Sequence, residues 1–206
     1  MDSEVKNNDI TKGMVKDLED KNKFILDACC GRRCFWINKK HPNTIYIDKR
    51  IREKGFDDNR PNWDIKPDIQ MDFKKLNFPD KSFKLVIMDP PHLKGKEDGC
   101  RMTKRYGALD KDTWRDDIKK GFDECWRVLE DYGTLIFKWN EASIKKKEIL
   151  EVIGREPLFG HPNGSKIATH WLCFMKIPKD ALIQPIMLNK SKKEVGKWKK
   201  IKYGQD

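Results

Sequence analysis

Several features that would assign a chain of 206 residues to a special class of protein are missing from this sequence. No apolar run is long enough to cross a membrane, and the N-terminus Met1-Asp2-Ser3-Glu4 lacks the pattern of a signal peptide. The six cysteines include no paired Cys-x-x-Cys sets, so we expect no zinc site and no other metal. These absences together predict a cytoplasmic protein with reduced cysteines and no membrane contact.

Positive charge, in contrast, is abundant. The chain carries 44 Lys and Arg against 33 Asp and Glu, which gives a formal net charge of +11. Such an excess favours a polyanionic partner, nucleic acid first, although a merely soluble basic protein can have the same charge. The length suits one domain, we find no internal repeat, and nothing in the sequence predicts an oligomeric state.

Short apolar segments that end in an acid recur along the first half of the chain. The three segments 24–27, 44–48 and 69–72 end at Asp27, Asp48 and Asp72, at a spacing typical of β-α-β units. A fourth, Phe83 to Met88, is followed by Asp89. The pattern predicts an α/β fold with a mostly parallel sheet, whose ligand site lies at the carboxyl ends of the strands.

The motif Asp89-Pro90-Pro91-His92 is the most informative of these strand ends. Two prolines cannot continue a central strand, because proline lacks the N–H that the ladder needs and has a fixed φ. The chain must leave the sheet there as a rigid turn, which holds His92 at the mouth of a crevice. An acid in such a turn is suited to gripping an amino group, whereas a plain tight turn is the simpler interpretation of the motif alone.

The loop after the first strand also indicates a ligand. Ala28, Cys29 and Cys30 are small, and Gly31 can adopt a positive φ, so the backbone can approach a bound molecule closely. Asp48, at the end of the second strand, stands where doubly wound folds grip ribose hydroxyls. Asp48 and Asp72 could instead act as helix caps.

The remaining elements follow from periodicity and from turn residues. We expect a helix or crossover at 33–39, an exposed loop or short helix at 52–66, and a long functional loop at 92–109. A helix begins after Asp112-Thr113, strands cover 133–139 and 169–175, a helix covers 144–153, and a Gly/Pro loop covers 155–166. The apolar stripe of the first of these helices comprises Trp114, Ile118, Phe122, Cys125, Trp126 and Leu129.

Over residues 20–176 the chain resembles class I S-adenosylmethionine-dependent methyltransferases. Asp89-Pro90-Pro91-His92 is similar to the Asp/Asn/Ser-Pro-Pro-aromatic signature of enzymes that methylate exocyclic amino groups of nucleic-acid bases. The segments Arg101 to Gly107, Phe137 to Glu141 and Thr169 to Leu172 resemble small methyltransferases of bacteriophages and prophages. Two departures are the loop Asp-x-Cys-Cys-Gly in place of Asp/Glu-x-Gly-x-Gly, and His92 in place of the usual aromatic.

The resemblance implies a single Rossmann-like methyltransferase domain at 23–177, with a C-terminal antiparallel strand. A polar N-terminal arm at 1–22 precedes the domain, and a basic tail at 178–206 follows it, in which lysines alternate with aromatics. The implied cofactor is S-adenosyl-L-methionine, and its expected binding residues are Asp27, Ala28, Cys29, Gly31, Asp48, Asp72 and Phe73. Asp89, Pro90, Pro91 and His92 would be catalytic, and Arg101, Lys104, Arg105 and Tyr106 would bind the substrate.

The favoured activity is methylation of a base amino group, with adenine N6 of DNA preferred to RNA. Asp89 and a carbonyl of the Pro90-Pro91 turn would accept hydrogen bonds from the two amino protons, while His92 stacks on the base. Two alternatives stay open at this stage: the same fold acting on a protein amide or a small molecule, and a non-catalytic module that binds nucleic acid. Trp139 and Trp171 are expected in the core, and His170 as a hydrogen-bonded strand residue.

Overall fold

A mixed β-sheet organises the part of the chain that the computed structural model describes, namely residues 22–95, 100–163, 168–179 and 181. Its strands within these residues are β1 (Ile25–Asp27), β2 (Thr44–Asp48), β3 (Ile69–Gln70), β4 (Phe83–Met88), β5 (Leu129–Asn140), β6 (Phe159–Asn163) and β7 (Thr169–Met175). The helices of the same region are α1 (Arg101–Tyr106), α2 (Trp114–Val128) and α3 (Lys146–Ile153).

The strands lie in the order β3-β2-β1-β4-β5-β7-β6. All neighbouring pairs from β3 to β5 are parallel, while β7 runs antiparallel to both β5 and β6. The predicted fold class is therefore confirmed, namely an α/β fold with a mostly parallel sheet and an antiparallel strand near the C-terminus.

One face of the sheet carries the main hydrophobic core. Helix α2 begins at Trp114, as predicted, and it packs against β4, β5 and α3. Its buried residues Trp114, Ile118 and Phe122 face core side chains of the strands such as Val86 and Phe137. The alternation along β5, with Leu135, Phe137 and Trp139 fully buried, points the side chains between them toward the other face.

The loop after β1 covers part of the second face. Trp36 packs edge-on against Tyr46 of β2 with ring centroids 5.1 Å apart, and Phe35 packs against Trp171 of β7 at 5.4 Å. Beside this loop lies an open apolar groove of about 610 Å³, whose lining includes Ile37, Ile87, Ile136, Phe159, Trp171 and Cys173. Parallel sheets normally bury both faces under helices, whereas here this loop covers part of the second face.

Two local expectations differ from the structure, and a third, the loop at 52–66, agrees with it. Residues 33–39 form turns rather than a helix, and Arg33 has a φ of +54°, which a helix does not tolerate. The Gly/Pro loop expected at 155–166 is wrong, because residues 159–163 form β6. Pro162 is compatible with this strand since β6 lies at the edge of the sheet. Residues 52–66 form a loop, closed by a bridge between Arg52 and Ile65.

The expected long loop at 92–109 contains the short helix α1. The helix has no buried residue and hence no apolar period that could predict it. It ends at Gly107, which has a φ of +78° and donates its N–H to the Thr103 carbonyl. A bridge between Lys94 and Leu109 joins the two ends of the segment.

The predicted N-terminal arm and basic tail fall outside the described residues, apart from Asn22, Pro178, Lys179 and Ala181. Within the described part of the chain, no helix is long and apolar enough to cross a membrane.

Candidate active site

The carboxyl ends of β1, β2 and β4 bring together three acids that the sequence predicts at this edge. Asp27 and Asp48 end β1 and β2, and Asp89 follows β4 directly. The three strands are neighbours in the sheet, at a spacing of roughly 5 Å. Two cavities of about 30 and 340 Å³ open at this edge, and both are lined by Cys29, Arg50, Asp89, Pro91 and Tyr106.

Asp27 holds the loop after β1 in place through two hydrogen bonds. It is fully buried, and its carboxylate accepts hydrogen bonds from Trp36 Nε1 at 2.7 Å and from the Cys29 N–H at 3.3 Å. Burial raises the pKa of Asp27 to about 7, against the lowering effect of these two hydrogen bonds. Because no part of this side chain is exposed, it positions the loop and reaches no ligand while the loop stays in place.

Gly31 joins the first loop to the end of β2. Its φ is +47°, and its N–H donates to Asp48 Oδ2 at 3.0 Å. The positive φ explains the glycine at position 31, whereas Cys29 stands where the usual glycine-rich loop has its first glycine. Burial raises the pKa of Cys29 well above its ordinary value, so its thiol stays neutral beside the cavities rather than acting as a nucleophile.

Asp48 is held by hydrogen-bond donors on both carboxylate oxygens. Arg50 donates to Oδ1 from its backbone N–H at 2.9 Å and from Nε at 3.0 Å, and to Oδ2 from Nη2 at 3.1 Å. Arg50 Nη1 also donates to the Arg105 carbonyl at 3.3 Å, which connects β2 with α1. A ribose hydroxyl could reach Asp48 only in place of some of these donors.

The third predicted acid, Asp72, is placed differently. Its Oδ1 accepts the Lys74 N–H at 2.9 Å and so caps a turn after β3. The side chain is about one-third exposed and does not line either of the two cavities. The neighbouring Phe73 is buried and does line the smaller cavity, together with Ala28 and Asp48.

The Asp89-Pro90-Pro91-His92 turn lines the larger cavity with all four residues. Asp89 Oδ2 accepts a hydrogen bond of 2.6 Å from Lys138 Nζ on β5. Burial raises the pKa of Asp89, and the Lys138 ammonium opposes this effect. Burial lowers the pKa of His92, and the Lys138 charge lowers it further against the effect of Asp89, so the imidazole is neutral at physiological pH.

Lys138 was not predicted as a site residue. Its ammonium lies 5.6 Å from the Phe35 ring and 5.7 Å from the Trp171 ring, in addition to its bond with Asp89. The alternation of residues along β5 could have indicated it, because a lysine between the apolar residues Phe137 and Trp139 must point to the face opposite the core. That signal predicts the face but not the partner 49 residues earlier in the chain.

The four predicted substrate residues lie on α1, but they differ in position. Tyr106 is 39% exposed and lines both cavities, while Arg105 lines the larger one. The Arg105 guanidinium donates to the buried carboxylate of Asp57, and this bond lowers the pKa of Asp57. Arg101 and Lys104 are exposed on the helix. Gly107, at the end of α1, packs against Pro91, where a Cβ would lie 3.2 Å from Pro91 Cγ.

The described residues include no group of three or more His, Cys, Asp or Glu side chains that could hold a metal ion. Of the other residues singled out in the sequence, Trp139 is fully buried, as expected for the core. His170 is also buried, and its Nε2 lies 3.2 Å from Glu141 Oε2. These residues lie outside the lining of the two cavities.

No family model matches this sequence, and no curated protein matches it. Among solved structures, the chain is similar to the N-methyltransferase NodS from Bradyrhizobium japonicum WM9, with 12% identity, a TM-score of 0.46 and coverage of 81% of this chain and 96% of that chain. It is also similar to 1,6-didemethyltoxoflavin-N1-methyltransferase from Burkholderia thailandensis, with 10% identity, a TM-score of 0.46 and coverage of 82% and 77%. At this level of similarity, function has to be argued from the site itself.

Proposed function

We propose that this chain transfers a methyl group from S-adenosyl-L-methionine to an exocyclic amino group of a nucleic-acid base, with adenine N6 of DNA as the first candidate. The observation that carries the proposal is the position of the Asp89-Pro90-Pro91-His92 turn. It leaves the sheet between the cavity lined by Ala28, Asp48 and Phe73 and the open cavity beside Lys138. An acceptor held by this turn would face a cofactor held by the first loop.

The donor set at the ends of β1 and β2 suits S-adenosyl-L-methionine. Asp48 offers carboxylate oxygens for ribose hydroxyls, Phe73 offers a ring for the adenine, and Gly31 allows close approach of the backbone. Ribose hydroxyls donate hydrogen bonds, as the Arg50 N–H groups do, so they can replace Arg50 on Asp48 without leaving the carboxylate unpaired. When bound, the cofactor supplies a methyl group that its sulfonium already activates.

The protein's contribution is then to position and activate the acceptor nitrogen. A base amino group is a weak nucleophile, because its lone pair is conjugated with the ring. Asp89 Oδ1, the oxygen opposite the one that Lys138 holds, would accept a hydrogen bond from one amino N–H, and a carbonyl of the Pro90-Pro91 turn would accept a hydrogen bond from the other. Both bonds favour a pyramidal nitrogen with an available lone pair. The proton that the nitrogen loses on methylation would pass to Asp89. The neutral imidazole of His92 would stack on the base without adding a cation beside the sulfonium.

A nucleic-acid substrate agrees with the charge around the larger cavity. Arg32, Arg50, Arg105 and Lys138 line it; the last three pair with Asp48, Asp57 and Asp89, so Arg32 adds the charge that these acids do not balance. With a net charge of +11 over the chain, this cavity favours an anionic acceptor over a neutral small molecule. In a duplex, the base would have to leave the stack to reach Asp89.

The Asp89→Ala variant tests the catalytic assignment. We expect it to retain cofactor affinity in calorimetry, because Asp48 and not Asp89 holds the ribose in this proposal, and to lose methyl transfer by roughly 10²–10³-fold. His92→Ala should lose less, and His92→Phe should retain more activity than His92→Ala, since a ring restores the stacking face. The double variant Asp89→Ala/Lys138→Met checks that an unpaired lysine is not the cause. Native transfer rates in Asp89→Ala would refute the assignment.

A further inference from the structure

Three arginines surround the ring of Trp63 at the edge of the larger cavity. The guanidinium carbon lies 3.6 Å from the ring centroid for Arg32, 5.2 Å for Arg105 and 5.7 Å for Arg60. These residues come from the loop after β1, from α1 and from the loop 52–66. We refer to Arg32, Arg60, Arg105 and Trp63 as the Trp63 arginine cluster.

The cluster has an excess of positive charge. Asp57 is 3% exposed, and its carboxylate accepts hydrogen bonds from the Arg105 guanidinium and, at 3.1 Å, from the Asn59 N–H. Three guanidinium groups against one carboxylate leave a local charge of about +2. The charge of Arg101 on α1 also acts on Asp57 and adds to this excess. Lys66 lies 3.0 Å from Glu53 and 4.0 Å from Asp64, so it is shared between these two acids of the same loop.

The geometry of Arg32 indicates what the cluster can bind. Its guanidinium carbon lies 3.6 Å from the centroid of the indole, which is the distance of a stacking contact, and a stacked guanidinium keeps its N–H edge for another acceptor. Within the described part of the chain, the buried Arg32 Nε has no hydrogen-bond partner, and Nη1 has only a contact of 3.9 Å with Cys34 Sγ. A buried donor without an acceptor is costly, and an anionic ligand would remove that cost.

We infer that the Trp63 arginine cluster binds the phosphate that flanks the acceptor nucleotide. Arg32 and Arg105 line the same cavity as Asp89 and His92, so a phosphate on the cluster belongs to a chain whose base can enter that cavity. Arginine forks match the paired oxygens of a phosphodiester, and phosphate contacts fix the register of a nucleic acid without reading its sequence. The choice of acceptor position rests on the proposed function, whereas phosphate binding by the cluster does not.

The chain contains a matched control for this surface. Arg115 on α2 lies 4.4 Å from the Trp114 ring and pairs with Glu148 at 3.5 Å, so it is also an arginine that stacks on a tryptophan. Arg115 lies outside the lining of both cavities at the sheet edge. Exchange of Arg115 for glutamine removes one charge and one contact of this type at a different place, as each single exchange, Arg32→Gln or Arg60→Gln, does within the cluster.

The test measures binding of a fluorescein-labelled single strand of about 12 nucleotides, as DNA and as RNA, over a range of salt concentrations. In Arg32→Gln/Arg60→Gln we expect affinity to fall roughly tenfold or more at low salt, and the slope of log affinity against log salt to fall by about 0.7 for each lost phosphate contact. Arg115→Gln should match the native protein. The two strands show whether one sugar is preferred, and thermal unfolding of each variant confirms that the fold is retained.

Three results would overturn the inference: no binding of either strand by the native protein, a double variant that binds like the native protein, or an equal loss in the double variant and in Arg115→Gln. Trp63→Leu gives a second check, because it removes the ring on which the arginines pack and keeps every charge, and it should weaken binding. If the double variant binds nucleic acid as the native protein does and still transfers label to bases, phosphate binding by the cluster is wrong and the proposed function stands. If binding depends on the cluster and no label is transferred to bases, the inference stands and the proposed function is wrong.

Discussion

Burial and the Lys138 ammonium act on the pKa of Asp89 in opposite directions. Their balance determines whether Asp89 is ionised and can accept a hydrogen bond from the amino group. Burial raises the pKa, while the 2.6 Å contact with Lys138 lowers it and also fixes the orientation of Oδ2. The rings of Phe35 and Trp171 keep the ammonium in place. Lys138 is thus a positioning residue for the acceptor site.

Replacement of Lys138 by methionine should therefore change the pH dependence of methyl transfer. Without the ammonium, the pKa of Asp89 rises further, so the protonated and inactive form persists to higher pH. We expect the acid limb of the kcat profile to move to higher pH, with little change in cofactor affinity. Lys138→Arg should restore the native limb, and a limb that stays at the native pH in Lys138→Met would contradict this role.

Asp27 predicts a second pH effect, on stability. Its pKa in the folded protein is about 7, above the ordinary value of 3.8, so the folded state binds more protons than the unfolded state between these two values. Asp27 therefore lowers the free energy of unfolding as the pH rises from about 4 to about 7. Asp27→Asn cannot ionise, so its stability relative to the native protein should increase by roughly 2–3 kcal/mol from pH 5 to pH 8.

Urea unfolding of both proteins at the two pH values measures this difference, and contributions of all other titrating groups cancel. The amide leaves one of the donors Trp36 and Cys29 without a carboxylate oxygen, which shifts the variant by a constant amount at every pH. A stability difference that does not change with pH would show that Asp27 is ionised throughout.

At the residue scale, sequence reasoning could find the acids but not their partners. Asp27, Asp48 and Asp89 were predicted because each follows an apolar strand, and strand ends are visible in a sequence. Arg50, Trp36 and Lys138 become recognisable only in three dimensions, because their contacts depend on loop geometry and on strand pairing. The roles of the predicted residues in binding and catalysis stay predictions.

Helix α2 connects the core to the candidate site through Gly121. A Cβ on this residue would lie 2.2 Å from Phe73 Cδ2 and 3.0 Å from Met88 Cε, so the helix and the residue that lines the smaller cavity are in close contact. Glycine inside a helix normally costs about 1 kcal/mol relative to alanine. This position keeps glycine because the ring of Phe73 occupies the space.

Gly121→Ala should accordingly destabilise the protein despite the gain in helix propensity, by a net amount of roughly 1–2 kcal/mol, since overpacking costs more than the propensity returns. It should also weaken cofactor binding, because Phe73 must move. Lys120→Ala, on the exposed side of the same turn, is the control and should be close to neutral. A more stable Gly121→Ala protein with native cofactor affinity would show that Phe73 does not restrain this helix.

At the scale of elements, the segments with an apolar pattern were predicted well, including the short strands β1, β2 and β3, whereas two elements without such a pattern were missed. The strand at 83–88 and the start of α2 at Trp114 agree with the structure. Strand β6 was missed because Pro162 and Gly160 signal a loop, and an edge strand accepts both. Helix α1 was missed because it buries no residue and is fixed by its neighbours, among them Pro91.

At the scale of the whole molecule, the hydrophobic core and the candidate site lie at different parts of the sheet. Helices α2 and α3 build the core on one face, and the loop after β1 covers part of the other. The carboxyl edge carries the candidate site, with Arg32, Arg50, Arg105 and Lys138 around the larger cavity. The net charge of +11 predicted a polyanionic partner, but composition could not show where on the surface the charge converges.

Methyl transfer to a base is tested most directly by incubation of the native protein with methyl-labelled S-adenosyl-L-methionine and with single-stranded DNA, duplex DNA and RNA, each digested to nucleosides for mass spectrometry. We predict label in a nucleoside methylated on its exocyclic amino nitrogen, N6-methyldeoxyadenosine first, and roughly 10²–10³-fold less label with Asp89→Ala. Label in RNA nucleosides alone would change the substrate and keep the mechanism. Label in proteins or metabolites with none in any nucleoside would contradict the proposed function.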